Sequence, residues 1–286
     1  MVGKSQYSLV EHLARIADPI DWGRVKLAMF TAYFDASGTE KSLVLAVGGF
    51  LATAEMWGEF EQQWLARLRE DNLEYFHTTE FNSSQGQFKI GWRGNEKRRS
   101  DLIADLVKII RDNVNGKYGS VVIADSLKAL SKAQREQLHI CSYSLAGRHA
   151  AGLVRRWASS WSGPDPEIVF EEGTRGRDLL EKRLARDGFT TYHFRPKKNR
   201  FDKSGRLVKA AIPLQAADLM AYELFDPTNK IQRDGHIKRI KRTLSELDKI
   251  PGELNLIRQP FMELLKAIAD SPPSSVVLTP PGYDKK

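Results

Sequence analysis

Apolar runs typical of strands and one-sided apolar patterns typical of helices alternate along the chain. Residues 30–35 and 43–53 are strand-like runs, and turn-forming residues at 38–42 separate them. Two strands joined by so short a turn are expected to pair as an antiparallel hairpin. The first run ends on Asp35, so a carboxylate stands at the exit of an apolar strand.

The same patterns continue after the hairpin. Apolar positions at helical spacing predict helices at residues 7–18, 56–68, 102–110, 132–161, 178–186, 214–225 and 260–269, with a basic helix continuing to about residue 247. Strand-like runs occupy residues 118–124, 167–171 and 190–195, and residues 75–80 are expected to be a further strand or its exit. Residues 196–207 are expected to form a basic loop.

A hairpin followed by strands that alternate with helices predicts an α/β fold, in which helices flank a mixed sheet. We divide the chain into an N-terminal helical leader at residues 1–28, one α/β domain at 29–228, a basic C-terminal helical extension at 229–270 and a flexible tail at 271–286. The tail is rich in proline and serine, which disfavour a packed structure.

Composition narrows the class of protein. The chain has 286 residues, of which 41% are hydrophobic, and a single cysteine, Cys141. One cysteine forms neither a disulfide framework nor a thiolate zinc site. No stretch of the sequence approaches the roughly 20 apolar residues of a membrane helix, and the N-terminal segment is charged where a signal peptide is apolar. We therefore expect a cytoplasmic protein with no membrane partner.

The positive charge is concentrated in one part of the chain. Residues 195–242, which we call the basic window, contain 13 Lys or Arg and five Asp or Glu, and their net charge of +8 equals that of the whole chain. Such an excess is typical of a solvated face or of a surface that attracts a polyanion. We expect the basic window to contact the backbone of RNA or DNA, and phosphate-directed charge does not distinguish the two.

Three acids stand where a core has no use for a charge. Asp35 and Glu171 each end a predicted strand, and Asp218 lies within an apolar predicted helix. Adjacent strands and a helix packed on them can bring three carboxylates to one point, where they repel unless a cation neutralises them. Mg²⁺ is held by carboxylates together with substrate phosphates. The pattern predicts a site for Mg²⁺ or Mn²⁺ that is suited to phosphodiester hydrolysis.

Four short blocks of the chain look like the successive motifs of one bacterial family, the domain of unknown function 3800. They lie at residues 33–38, 76–81, 169–173 and 213–222, and the resemblance extends over residues 31–225. The most specific block is Leu-Gln-Ala-Ala-Asp-Leu, which ends at Leu219. The first block of the family usually reads Asp-Glu-Ser-Gly, and Ala36 replaces the glutamate here.

The resemblance implies a fold similar to that of ribonuclease H, with Asp35, Glu171 and Asp218 as metal ligands. Glu172 is an alternative to Glu171, because neighbouring residues of a strand point to opposite faces. The block that contains Glu80 adds a fourth acid if it leaves a strand near the site, and a surface loop is the alternative. We expect the substrate to contact Ser37, His77, Lys197, Lys198, Arg200 and Gln215.

The predicted function is a metal-dependent nuclease that hydrolyses RNA or DNA. Ala36 motivates a first alternative, a module of the same fold that binds nucleic acid or a protein partner without catalysis. Residues 34–39 are also similar to the first motif of haloacid dehalogenase-like phosphohydrolases, in which Asp35 would be the nucleophile. An antiparallel neighbour for strand 30–35 favours the nuclease, and parallel neighbours favour the phosphohydrolase.

Overall fold

A computed structural model describes residues 29–161, 163–237 and 241–270 of the chain. The predicted leader at 1–28, with its helix at 7–18, and the predicted tail lie outside the described residues. The strands are β1 Phe30–Ser37, β2 Val44–Thr53, β3 Gly116–Ile123, β4 Glu167–Glu171, β5 Tyr192–Arg195, β6 Arg200–Phe201, β7 Leu207–Val208 and β8 Gly252–Ile257. The helices are α1 Ala54–Glu70, α2 Thr78–Ser83, α3 Glu96–Asn113, α4 Lys132–Gln137, α5 Ser142–Ala158, α6 Arg177–Arg186, α7 Pro213–Asp234, α8 Arg242–Asp248 and α9 Gln259–Asp270.

The main sheet is mixed. Six of the described strands form it in the order β5-β4-β1-β2-β3-β8. β1 is antiparallel to β2, and β2 is antiparallel to β3. β4 runs parallel to β1, β5 parallel to β4, and β8 parallel to β3. The predicted hairpin and the predicted α/β class with a mixed sheet flanked by helices are confirmed.

Alternation along β1 sends its side chains into two cores, one on each face of the sheet. Tyr33 packs on one face with Trp57 and Phe60 of α1, and α3 and α7 complete that layer. Phe34 packs on the other face against Phe170 of β4, under α5, α6 and α9. Each of these rings is buried, which contributes about 1.5–3 kcal/mol per side chain. Within the described residues, no helix has the length and apolar character that crossing a membrane requires.

Two segments differ from their predictions. Residues 75–77 are irregular and lead into α2, where a strand or its exit was expected. The predicted helix at 132–161 is two helices, α4 and α5, because the backbone reverses between them and His139 adopts a φ of 54°. Cys141 therefore lies outside the helix and caps the start of α5, where its sulfur accepts from the backbone N–H of Ser144.

The C-terminal segment is not a helical extension attached to the domain. α7 continues through Pro227 to Asp234, so the predicted boundary at residues 228–229 lies inside a helix. A proline removes one backbone hydrogen bond but does not end this helix. After α8, the chain forms β8, which adds to the edge of the main sheet beside β3. The segment after α7 is therefore part of the same sheet as the predicted site.

Candidate active site

The register of the sheet places two acids side by side. Phe34 of β1 lies opposite Phe170 of β4 in a parallel pair, so Asp35 and Glu171 follow at the same level. Since side chains alternate along a strand, both acids point to the face that Tyr33 occupies and that α7 covers. The carboxyl ends of parallel strands are a common position for binding sites in α/β proteins.

A glycine lets α7 reach this edge. Gly48 of β2 lies opposite Asp35 in the hairpin. A Cβ atom at Gly48 would lie 3.1 Å from the backbone nitrogen of Ala221 in α7, so the missing side chain lets the helix lie close to the sheet. Asp218 precedes Ala221 by three residues and lies on the same side of the helix. The close packing thereby brings Asp218 to Asp35.

The ammonium group of Lys197 joins the two aspartates. Its Nζ donates to Oδ2 of Asp35 at 2.7 Å and to Oδ1 of Asp218 at 2.8 Å. Each carboxylate also accepts a backbone N–H at 2.6 Å, Asp35 from Ala36 and Asp218 from Thr78. The aspartate side chains are 2% and 8% exposed, and that of Lys197 is 17% exposed. The two acids are therefore nearly removed from water.

Burial and crowded negative charge shift the pKa values of this cluster. Burial, assisted by the charge of Asp218 and opposed by Lys197, raises the pKa of Asp35 to about 6. Burial and the charge of Asp35 raise the pKa of Glu171 to about 7. Burial alone would raise the pKa of Asp218, but Lys197 and His77 outweigh it and lower that pKa. Burial disfavours the ammonium form of Lys197, but the two aspartates outweigh it and raise the pKa.

Gln215 holds the chain at Lys197 and does not face the substrate side. Its Oε1 accepts from the indole N–H of Trp64 at 2.9 Å and from the backbone N–H of Phe76 at 2.8 Å. Its Nε2 donates to the backbone oxygen of Lys197 at 3.0 Å. The residue is 1% exposed. The predicted substrate contact of Gln215 is therefore replaced by a positioning role, because all of its polar atoms are used inside the protein.

The segment before α2 joins the site from one side. Nε2 of His77 lies 3.7 Å from Oδ1 of Asp218, and Nδ1 of His77 lies 3.2 Å from Oε1 of Glu80. The hydroxyl of Tyr75 donates to Oε2 of Glu80 at 3.0 Å. His77 therefore stands between the buried acids and Glu80. Glu80 lies in helix α2, and not at the exit of a strand or in a loop.

Three further predicted site residues, Glu172, Lys198 and Ser37, form no hydrogen bond or ion pair with the three acids in the described part of the chain. Glu172 points away from the face of Glu171 and forms an ion pair with Arg200. Nζ of Lys198 lies 5.1 Å from the ring centre of Tyr75. Ser37 is the last residue of β1, opposite Ala46 of β2. Of the two adjacent glutamates, it is therefore Glu171 that shares the site with Asp35.

The basic window does not form one uniform surface. Several of its charges are paired with acids of the same chain. Lys230 contacts Asp226 at 2.9 Å, and Lys241 contacts Asp226 at 3.0 Å. Lys238 and Arg239 lie outside the described residues. The exposed cations of the basic window that lie nearest Lys197 in the sequence are Lys198, Arg200, Lys203, Arg206 and Lys209.

The donors of the cluster suit a hard divalent cation, but Lys197 stands between two of them. Asp35, Glu171 and Asp218 offer carboxylate oxygens, and when all three are ionised one ammonium leaves a charge of −2 on these four residues. In the part of the chain that the structure describes, no three His, Cys, Asp or Glu side chains are arranged to hold a metal ion. These acids offer the ligand chemistry and the charge that such an ion requires, but with Lys197 between two of them their observed arrangement is not a formed metal site.

Comparison of the chain with protein-family models, with curated proteins and with solved structures finds no match. The resemblance to the domain of unknown function 3800 therefore stays a prediction. The function has to be inferred from the geometry of the site.

Sequence patterns alone did not identify two contributors to this geometry. Tyr75, which fixes Glu80, follows no recognisable pattern, and the backbone N–H of Thr78 leaves no trace in a sequence. Lys197 was expected to contact substrate and instead neutralises two acids. No local feature of its basic segment signals this burial, because the acids that hold it come from β1 and α7.

Proposed function

We propose that the protein is a metal-dependent nuclease with a ribonuclease H-like fold and that it belongs to the family its motifs resemble. The proposed reaction is hydrolysis of phosphodiester bonds in RNA or DNA. The observation that carries the proposal is that Asp35 and Asp218 share one ammonium, while Glu171, level with Asp35 on the neighbouring strand β4, adds its charge to theirs. The antiparallel hairpin, followed by parallel strands, is the strand arrangement on which the fold assignment rests.

Asp35, Glu171 and Asp218 would hold the divalent cation, Mg²⁺ or Mn²⁺. Such a cation activates water for attack on phosphorus and stabilises the leaving oxygen. The backbone N–H groups of Ala36 and Thr78 keep one oxygen of each aspartate in place, which orients the other. Burial under α7 excludes bulk water and strengthens the field of these charges.

Lys197 has two positions in this proposal. In the metal-free protein its ammonium neutralises Asp35 and Asp218, as the observed contacts support. With a cation held by these acids, Lys197 Nζ would be free to pair with a phosphate oxygen of the substrate. The backbone of Lys197 stays fixed by Gln215, so only the flexible side chain needs to move.

In this proposal, His77 positions the water or phosphate oxygen that comes close to Asp218. Nδ1 of His77 lies within hydrogen-bond distance of Glu80, and Nε2 of the same ring faces Asp218. Tyr75 holds Glu80 in this position. The role of this trio is to place a water or a phosphate oxygen beside the acids.

The test is cleavage of labelled single-stranded and double-stranded RNA, DNA and hybrids by the purified chain with Mg²⁺ or Mn²⁺. Glu171→Gln and Glu172→Gln are matched variants, since the two residues are adjacent but face opposite sides. Glu171→Gln should lose at least about 100-fold in rate, as expected for loss of a metal ligand. Glu172→Gln should retain most of the activity. Equal rates for both variants, or no cleavage by folded wild-type protein, would contradict the proposal.

A catalytically degenerate module that binds nucleic acid is the second candidate. Two observations favour it: Lys197 already neutralises the aspartates, and Ala36 stands where the family usually has a glutamate. Calorimetry with Mg²⁺ or Mn²⁺ separates the two functions. Heat of binding in the wild type that is lost in Asp218→Ala supports the nuclease, and the absence of any heat supports the module.

The phosphohydrolase alternative is not retained. It required parallel neighbours around Asp35, and β2 instead returns antiparallel to β1 directly after the turn.

A further inference from the structure

A small hairpin lies next to the acids and exposes apolar side chains. β6 and β7 pair antiparallel, with Phe201 opposite Leu207, and we call residues 199–210 the basic hairpin. Phe201 is 71% exposed and Leu207 is 48% exposed. Directly opposed residues of antiparallel strands lie on the same face, so the two side chains form one apolar surface.

The basic hairpin is held in a defined shape. At its tip, Oδ1 of Asp202 accepts the backbone N–H of Ser204 at 2.8 Å and that of Arg206 at 2.9 Å. At its base, the backbone N–H of Ala210 donates to Oδ1 of Asn199 at 2.8 Å. A fixed loop loses little conformational entropy when it binds a ligand. The exposed ring of Phe201 therefore lies on a hairpin whose backbone is already ordered before a ligand binds.

The base of the hairpin adjoins the candidate site. Lys197, which contacts Asp35 and Asp218, lies two residues before Asn199. Arg200 of β6 forms an ion pair with Glu172, the residue that follows Glu171. The hairpin is therefore anchored next to the lysine that joins the two aspartates and to the strand that carries Glu171.

The exposed positive charges of the hairpin segment indicate which class of ligand its apolar surface would bind. The exposed cations Lys198, Lys203, Arg206 and Lys209 lie in or directly before the basic hairpin, and the acid among them in the sequence, Asp202, is engaged in the turn. Within the described part of the chain, Lys203 and Arg206 form no salt bridge. An aromatic ring among cations is the arrangement by which proteins stack the bases and bind the phosphates of single-stranded nucleic acid.

We propose that the basic hairpin binds single-stranded nucleic acid, with Phe201 stacked on an unpaired base and the flanking cations on the adjoining phosphates. The inference rests on the proposed nuclease function for its substrate and narrows that substrate to unpaired segments. A protein partner is the less favoured ligand, because its surface would have to match both a small apolar surface and several exposed cations.

The experiment measures binding of fluorescein-labelled oligonucleotides to the full chain by fluorescence anisotropy in EDTA, where no metal-dependent cleavage takes place. The probes are single-stranded DNA and RNA, a blunt DNA duplex and an abasic strand of equal length. Phe201→Ala should weaken binding of both single strands roughly tenfold, in the range expected for loss of one stacked base. Phe201→Trp should restore it, and binding of the abasic strand should be the same in all variants. Ile90→Ala is the matched control, because Ile90 is 86% exposed on another loop.

The outcomes separate this inference from the proposed function. If Ile90→Ala binds single strands like the wild type and Phe201→Ala does not, the hairpin inference stands even if no cleavage is ever observed. If the wild type cleaves nucleic acid but Phe201→Ala binds and cleaves equally well, the hairpin inference is overturned and the nuclease stands. Equal weakening on the abasic strand, or no binding of any probe by the wild type, also overturns it, and the latter result would indicate a protein ligand.

Discussion

Lys117 and Lys197 are both buried lysines, and their surroundings differ. Nζ of Lys117 on β3 donates to the backbone oxygens of Asp248 and Ile250 and, at 2.9 Å, to the carboxylate of Asp248. Three acceptors satisfy the three donors of an ammonium, and the carboxylate concerned is 71% exposed. Lys197 instead faces two carboxylates that are almost fully buried, and the charge of Glu171 acts on the same group of residues.

This difference distinguishes a structural lysine from a functional one. Lys117 binds the end of α8 to the sheet. Its ammonium has an acceptor for each donor, so the group has no unmet charge that a second cation could neutralise. At Lys197, more negative charge is buried than one ammonium neutralises, and the pKa of Asp35 rises to about 6 as a result of burial and of this crowding. Such an excess is unfavourable for folding by itself. This excess of buried negative charge is the reason for proposing that the site takes up a further cation.

The largest effect is expected from removing an acid at each lysine. Asp35→Asn should reduce cleavage at least about 100-fold because it removes a proposed metal ligand. It should change the free energy of unfolding by less than about 1 kcal/mol, since Lys197 then has one buried acid to neutralise. Asp248→Asn should leave cleavage unchanged, because the two backbone acceptors of Lys117 remain. Cleavage rates and urea unfolding of both variants measure these effects.

A loss of stability in Asp35→Asn equal to its loss of activity would contradict this distinction. It would mean that the acids serve mainly to bury Lys197 and that the site is structural.

Replacing the lysines themselves should separate the two environments by stability. Lys197→Met leaves two buried carboxylates without a counter-ion and should lower the free energy of unfolding by about 4 kcal/mol in EDTA. Lys117→Met leaves backbone oxygens without a donor and should lower it by about 2 kcal/mol. Mg²⁺ or Mn²⁺ should restore stability in Lys197→Met more than in the wild type, because no ammonium competes for Asp35 and Asp218. Thermal unfolding with and without metal is the measurement.

Metal that stabilises Lys117→Met as strongly as Lys197→Met would show that its effect does not depend on the acid cluster. Metal that stabilises neither variant would favour the binding module over the nuclease.

The placement of the acids was predictable from sequence to a useful degree, whereas their partner was not. An apolar run up to Asp35, a five-residue turn and a second apolar run predict the hairpin locally, and its register is observed, although β1 continues to Ser37. Glu171 follows from the same rule one strand away. The contact of Lys197 with Asp35 joins residues 162 positions apart in the chain. A lysine in a basic segment gives no local indication that it will be buried.

The edge strand β8 was missed for a related reason. Residues 252–257 follow Pro251 and are short and partly polar, so their sequence favours no element strongly. They form a strand because the free edge of β3 supplies hydrogen-bond partners along six residue pairs. Tertiary context of this kind overrides local propensity in strands more than in helices.

His149 of α5 extends the comparison to a buried base without a close acid. Burial, with the charges of Arg148 and Arg156, lowers the pKa of His149 to about 4, while Glu253 of β8 opposes this and Phe261 of α9 packs on the ring. The unfolded chain therefore takes up the proton first, so the stability is complete above about pH 6.5 and is lost as the pH falls toward 4. The loss should be on the order of 3 kcal/mol at pH 4 relative to His149→Gln. Urea unfolding at several pH values measures it, and parallel curves for the two proteins would contradict the assignment.

The smallest effect is expected at a lysine with no burial at all. Nζ of Lys97 on α3 lies 2.6 Å from Oδ2 of Asp101, a contact as short as those of Lys197, but its side chain is 87% exposed. Water and salt screen such a pair, and ordering a long side chain offsets what remains. Lys97→Ala should leave the urea midpoint of unfolding unchanged within error, at low and at high salt. A shift as large as that of Lys117→Met would mean that contact distance, and not burial, sets the energetic importance of lysines in this protein, and the distinction between Lys117 and Lys197 would then need another explanation.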